Sequence, residues 1–137
     1  MSETRFPTFR GAVPEVITPF HPDGSIAYEL LQGEMEHCLR GGVGAIFTNG
    51  LASEVLSLSP QEQIDVTAAV VKYVGGRVPV MGNVGCNTLE DGLSVVWGYE
   101  AAGVDAISIE QPCVYKLPEE GLLNYFRTLI SATKLPV

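Results

Sequence analysis

Basic residues are scarce. Lys and Arg number eight against sixteen Asp and Glu, a net charge of −8 over 137 residues. A nucleic-acid surface needs clustered Lys and Arg to meet phosphates, so a nucleic-acid partner is excluded, and the same acidity argues against an anionic membrane surface. Charge of either sign is sparse at 18%, below the usual ~25%, which suits elements buried on both sides, such as a parallel sheet wrapped by helices. No apolar run approaches the ~18 residues that a membrane span needs. The stretch Met1–Arg10 is polar apart from Phe6 and Phe9 and lacks the apolar centre of a signal peptide. Cysteine is rare and odd in number: Cys38, Cys86 and Cys113, widely spaced and with no C-x-x-C. With only His21 and His37 to add imidazoles, neither a zinc site nor a disulfide framework is expected, and a reducing cytoplasm fits best.

Apolar residues make up 46% of the chain, enough for a real core, and they recur with a beat. Short β-branched runs stand at Ala12–Thr18, Gly44–Asn49, Val78–Asn83 and Asp105–Ile109, and another begins at Leu135–Val137. Patterns of helical period lie between them. Ser59-Pro60-Gln61-Glu62 is a capping box with proline in the first turn. Thr88-Leu89-Glu90-Asp91 reads as a second N-terminal cap. Pro118-Glu119-Glu120 opens a further helix with acids at its positive end. Gly41-Gly42, Gly75-Gly76 and Gly103 close helices, the first of which runs from about Ala27 to Arg40 after the turn Pro22-Asp23-Gly24. A weak repeat echoes the beat: Gly42–Ile46 resembles Gly103–Ile107, and Arg77–Val80 resembles Lys134–Val137.

About four βα units without a hairpin signal predict a parallel sheet with right-handed crossovers. Two α/β architectures fit that beat. A doubly wound sheet of five strands would be complete at this length, whereas a (β/α)₈ barrel, typically about 250 residues, would be half built. A strand that opens at Pro136-Val137 and stops favours the half-barrel.

Particular residues carry a family resemblance. Val16-Ile17-Thr18-Pro19-Phe20 followed by Asp23-Gly24-Ser25-Ile26 resembles the first strand and loop of the dihydrodipicolinate synthase / N-acetylneuraminate lyase family. Asn49–Glu54, followed by Leu58–Glu62, stands where that family has its G-T-T-G-E loop and the next helix. Arg77–Gly85 is similar to its third strand, and Glu120-Gly121-Leu122 with Tyr125-Phe126 to the helix after its fourth. The resemblance implies a partial (β/α)₈ TIM barrel, with residues 1–137 as its N-terminal half and the start of a fifth strand.

It also implies class I aldolase or lyase chemistry. A lysine amine forms a Schiff base with pyruvate or another 2-keto acid, and the imine is the electron sink for making or cleaving a carbon–carbon bond. That lysine is expected on a sixth strand and a proton-shuttling tyrosine at the end of the fifth, both beyond Val137. No catalytic residue is therefore expected within this chain, nor any cofactor or metal. Its own lysines do not substitute. Lys72 and Lys134 stand at the wrong end of the barrel, and Lys116, though after a strand, reads as a solvated loop residue.

The resemblance places a substrate site at Thr18, Gly50, Leu51, Ala52, Ser53 and Val114. Gly50 allows close backbone approach, and successive N–H groups of its loop can meet a carboxylate. Where the family has two hydroxyls this loop has Leu51 and Ala52, leaving the backbone donors of Ala52 and Ser53 and the Ser53 hydroxyl. Where it has two adjacent tyrosines, this chain has Cys113 and Val114, with Tyr115 one residue late. Cys113 reads as a small packing residue and Glu54 as an acid bonding the loop's backbone, while Asn83, ending a strand at the active face, either lines the pocket or takes a core or turn role. Trp97, Tyr99 and Tyr125 read as packing or subunit contacts.

The expected function is that of a truncated 2-keto acid lyase or aldolase, inactive by itself, whose parent takes a small 2-keto acid and is a cytoplasmic homo-oligomer. The alternative is a non-catalytic binding or assembly protein on the same scaffold. A free half-barrel would expose two sheet edges and an apolar interior, predicting dimerisation, aggregation or a molten state.

Overall fold

The computed structural model describes residues 8–137, so the polar stretch Met1–Pro7 lies outside the described residues. Helix α1 (Tyr28–Arg40) begins after a turn in which Asp23 Oδ1 accepts the Ser25 N–H and hydroxyl at 3.0 and 2.7 Å. Leu31 and Met35, one helical turn apart, are its fully buried residues. Strand β1 (Ile46–Thr48) leads through two 3₁₀ turns, Leu51–Ser53 and Val55–Ser57, into α2 (Pro60–Val74). There the capping box forms as the sequence predicts: Ser59 Oγ accepts the Glu62 N–H while Glu62 Oε2 accepts the Ser59 N–H. Helix α2 buries Gln63, Val66, Thr67, Val70 and Val74 on one stripe, the spacing of an amphipathic helix.

Strand β2 (Val80–Val84) precedes α3 (Leu89–Ala102), which Thr88 caps by accepting the Asp91 N–H at 3.1 Å. Strand β3 (Ala106–Ile109) precedes α4 (Glu119–Ser131), which buries Tyr125 and Leu129. Gly75 and Gly103 close α2 and α3 in the left-handed conformation, with φ of 59° and 84°.

The sheet is parallel in the order β1-β2-β3, with Ile46 opposite Val80 and Met81 opposite Ala106. Its margins continue that order. On the β1 side, Ala12 O accepts from Gly44 N, Pro14 O from Phe47 N, and Val16 N donates to Phe47 O. On the β3 side, Ile107 N donates to Pro136 O at 2.9 Å. Five extended segments thus lie side by side in chain order, and the helices pack as neighbours, α1 on α2, α2 on α3 and α3 on α4. A doubly wound sheet reverses its strand order at a switch point; a barrel does not. The fold is α/β, a parallel arc of a (β/α)₈ barrel.

The first expected strand is much reduced. Ala12–Thr18 pairs through isolated ladder bonds, because Pro14 has no N–H to give and the Ile17 N–H goes instead to Glu34 Oε1 at 3.0 Å. The core lies between sheet and helices, where Val16, Ile46, Val84, Val95 and Tyr99 are all but inaccessible. Gly82 is required there, because a Cβ at that position would stand 2.6 Å from the Tyr99 ring.

Candidate active site

Strand β1 is followed by Asn49, whose φ of 58° turns the chain out of the sheet. Asparagine tolerates this left-handed backbone better than most residues, and here its side chain is also tied down. Asn49 Nδ2 lies 2.8 Å from Gln63 O, 2.9 Å from Thr67 Oγ1 and 2.6 Å from the Tyr99 hydroxyl. That hydroxyl donates to Asn83 O at 2.8 Å, and Asn83 Nδ2 returns to Asn49 O at 2.8 Å. Thr48 and Thr67 join through their hydroxyls at 2.8 Å. The C-terminal ends of β1 and β2 are thereby locked to each other and to α2 and α3 by fully buried polar groups. Burial raises the Tyr99 phenol well above its ordinary range, so the hydroxyl stays protonated and remains a donor. Asn83 therefore serves to hold the turn.

The loop that follows is fixed from the leading segment. Thr18 Oγ1 donates to Ser53 O at 2.8 Å, and the Ser53 hydroxyl bonds Val16 O. The Ser53 N–H donates to Glu15 Oε1 at 2.9 Å and also reaches back to Gly50 O at 3.2 Å. A Cβ on Gly50 would stand 2.5 Å from Glu15 Oε1 and 2.7 Å from the Phe47 ring. Gly50 thus does permit a close approach, and what approaches is the chain's own carboxylate. Leu51 and Ala52 are exposed on the crest of the turn, Leu51 by 69%, whereas Ser53 is buried. Thr18, Gly50 and Ser53 come together; Leu51 and Ala52 face outward beside them.

The sequence profile of the dihydrodipicolinate synthetase family matches residues 8–137. The chain belongs to the dihydrodipicolinate synthetase family. It is 33% identical to a 4-hydroxy-tetrahydrodipicolinate synthase of Bacillus subtilis, over 89% of this chain and 42% of the relative. It is 35% identical to the enzyme of that name from Staphylococcus carnosus, over 94% and 44%. Among solved structures, a putative dihydrodipicolinate synthetase from Pseudomonas aeruginosa superposes with a TM-score of 0.90 at 28% identity, covering 95% of this chain and 45% of that one. A prophage protein of the family from E. coli K12, solved in complex with pyruvate, gives 0.90 at 26%, covering 94% and 43%. An N-acetylneuraminate lyase from Mycoplasma synoviae, at 24% identity and a TM-score of 0.88, shares the fold. The chain spans less than half the length of these relatives.

The family's fourth-strand loop is the other place where the sequence puts site residues. Here Asn87 Oδ1 accepts the N–H groups of Cys113 and Val114 at 3.0 and 3.2 Å, pinning the loop after β3 to the end of β2. Val114 is 59% exposed and Tyr115 76%. A cavity of about 420 Å³ lies beneath this loop, lined by Gln111, Cys113, Tyr115, Lys116 and Leu117 among others. The packing role expected of Cys113 is not found: its side chain is exposed, with Sγ 3.7 Å from Asn87 Oδ1. Lys116 is exposed in the loop, in keeping with a solvated role. Between the two loops, Cys86 is buried beside Gln63, and burial together with the Asp91 charge pushes its thiol up to about 11.

Glu54, the acid expected to bond the loop's backbone, is exposed, and the carboxylate on that backbone is Glu15's. A signal existed, since Glu15 is the acid in the run Ala12–Thr18. Asn87 carried no signal, because its role depends on a contact 26 residues away. Among the described residues, no group of three or more His, Cys, Asp or Glu could hold a metal ion, and no helix is long and apolar enough to cross a membrane.

Proposed function

We propose that this chain supplies the first half of the active site of a Schiff-base-forming 2-keto acid lyase or aldolase, with pyruvate or a related keto acid as substrate. The observation that carries this reading is the match to the family over residues 8–137 in a chain whose strand ends bring Thr18, Gly50 and Ser53 together. In a barrel the C-terminal strand ends are where substrates bind. The Ala52 and Ser53 N–H groups would meet the substrate carboxylate, with Val114 across the mouth.

The imine-forming lysine belongs to a sixth strand, so residues 1–137 by themselves form no imine. Lys72, Lys116 and Lys134 are exposed, whereas a Schiff-base lysine needs a desolvated pocket to release its proton. The three free cysteines support a reducing, cytoplasmic setting, and the complete protein is proposed to be a homo-oligomer.

A second reading, a non-catalytic binding protein on this scaffold, is favoured by Leu51, Ala52 and Val114, which lack the hydroxyls that a proton relay uses. One experiment decides between them. Borohydride reduction with pyruvate, followed by peptide mass spectrometry, should label one lysine of a sixth strand in the complete barrel and none of Lys72, Lys116 and Lys134. Pyruvate binding with no labelled lysine would sink the lyase reading and leave the binding protein.

A further inference from the structure

Glu15 does something that the family resemblance does not call for. It pairs with Phe47 across the sheet margin, and Phe47 with Met81. Paired residues of parallel strands share a face. Thr48 and Gly82, one residue further along, meet Thr67 and Tyr99 of the helices. Glu15 therefore stands on the opposite face, the one a barrel turns inward. From there its Oε1 takes the Ser53 N–H at 2.9 Å, with the Ser53 hydroxyl at 3.2 Å. The hydroxyl has one proton and the Val16 carbonyl oxygen lies nearer, so the N–H is the firm donor. Gly50 clears the space that the carboxylate fills.

We propose that Glu15 is a specificity-determining residue, an internal carboxylate that competes with a keto acid for the Ser53 donor. This rests on the reading of the Gly50–Ser53 loop as the substrate-carboxylate site. One N–H cannot serve two anions at full strength, and two carboxylates a few ångströms apart repel. A ligand carboxylate enters only as Glu15 turns away. The loop therefore discriminates against small 2-keto acids that offer nothing to offset that displacement.

Calorimetric titration of the complete barrel with pyruvate tests this on the wild type, Glu15→Gln, Glu15→Ala and the control Glu54→Gln, each verified as folded by circular dichroism. Glu15→Ala should bind pyruvate at least tenfold more tightly than wild type. Glu15→Gln should fall between, because its amide still accepts the Ser53 N–H without the charge. Glu54→Gln should stay within twofold, since Glu54 is exposed one residue further on. The Ser53 amide proton should move upfield in Glu15→Ala before any ligand is added.

Equal affinities in wild type and both Glu15 variants, or weaker binding in the variants, would overturn the proposal. Borohydride trapping of the same samples separates it from the reading beneath. Tighter binding with no trapped lysine keeps Glu15's role and sinks the Schiff base, whereas trapping with unchanged affinities does the reverse.

Discussion

The Tyr99 hydroxyl accepts from Asn49 and donates to Asn83 O in a fully buried site. Removing it takes the hydroxyl donor from Asn83 O, while the two Asn49 amide protons keep Gln63 O and Thr67 Oγ1, and an unmet buried polar group costs about 1–3 kcal/mol. Tyr99→Phe should lower the unfolding free energy by about that amount in denaturant titration. It should also loosen the loop, seen as faster amide exchange at Gly50–Ser53. Cys86 makes a prediction in pH. Its thiol is raised by burial to about 11, so its contribution to stability is whole below the ordinary thiol range and is lost as pH climbs towards that value. Cys86→Ser, which does not titrate there, should flatten the fall in stability between about pH 9 and 11 by on the order of 1–2 kcal/mol. Raised phenols at Tyr99 and Tyr125 leave a residual slope at the alkaline end.

The elements show what a sequence can and cannot announce. Both caps on α2 and α3 were legible, because a capping box is written in residues three apart. Ser59→Ala should cost about 1 kcal/mol, measured as a drop in unfolding free energy, with Glu62→Gln costing less because its amide oxygen can still accept the Ser59 N–H. The leading strand was less legible: its pattern is that of a strand, yet Pro14 and the diversion of the Ile17 N–H to Glu34 leave it only isolated ladder bonds. The meeting of strand ends was legible as a place and not in its contacts. Thr18, Gly50 and Ser53 come together at the strand ends, but Glu15 reaches Ser53 across 38 residues and Asn87 reaches Val114 across 27. Contacts at such separations leave no local spacing to read. For the same reason Val114 could be placed in its loop but not oriented.

At the scale of the whole molecule, the sheet has a covered face and an open one. Helices cover the face of Thr48 and Gly82; on the other, Ile17 is 55% exposed and Val13 40%. Apolar residues gathered on one face favour association, and the two sheet margins add unpaired backbone. Residues 1–137 should therefore sediment above monomer mass, and Ile17→Lys, which puts charge on that face, should shift them towards monomer. A wild-type monomer at high micromolar concentration in analytical ultracentrifugation would count against an adhesive open face.

The strictly sequential strand order also bears on how the chain acquires its shape during synthesis. Each strand's partner lies one βα unit behind it: Phe47 waits for nothing later than itself to meet Glu15, and Ala106 finds Met81 already made. Loop closure over such moderate separations costs little more than over short ones, and domains emerge from the ribosome N-terminus first. Growth can therefore proceed by accretion, each newly synthesised strand docking on the edge left by the last. Until its successor arrives, every intermediate carries one fresh adhesive edge, and the rate of translation sets how long that edge stays bare.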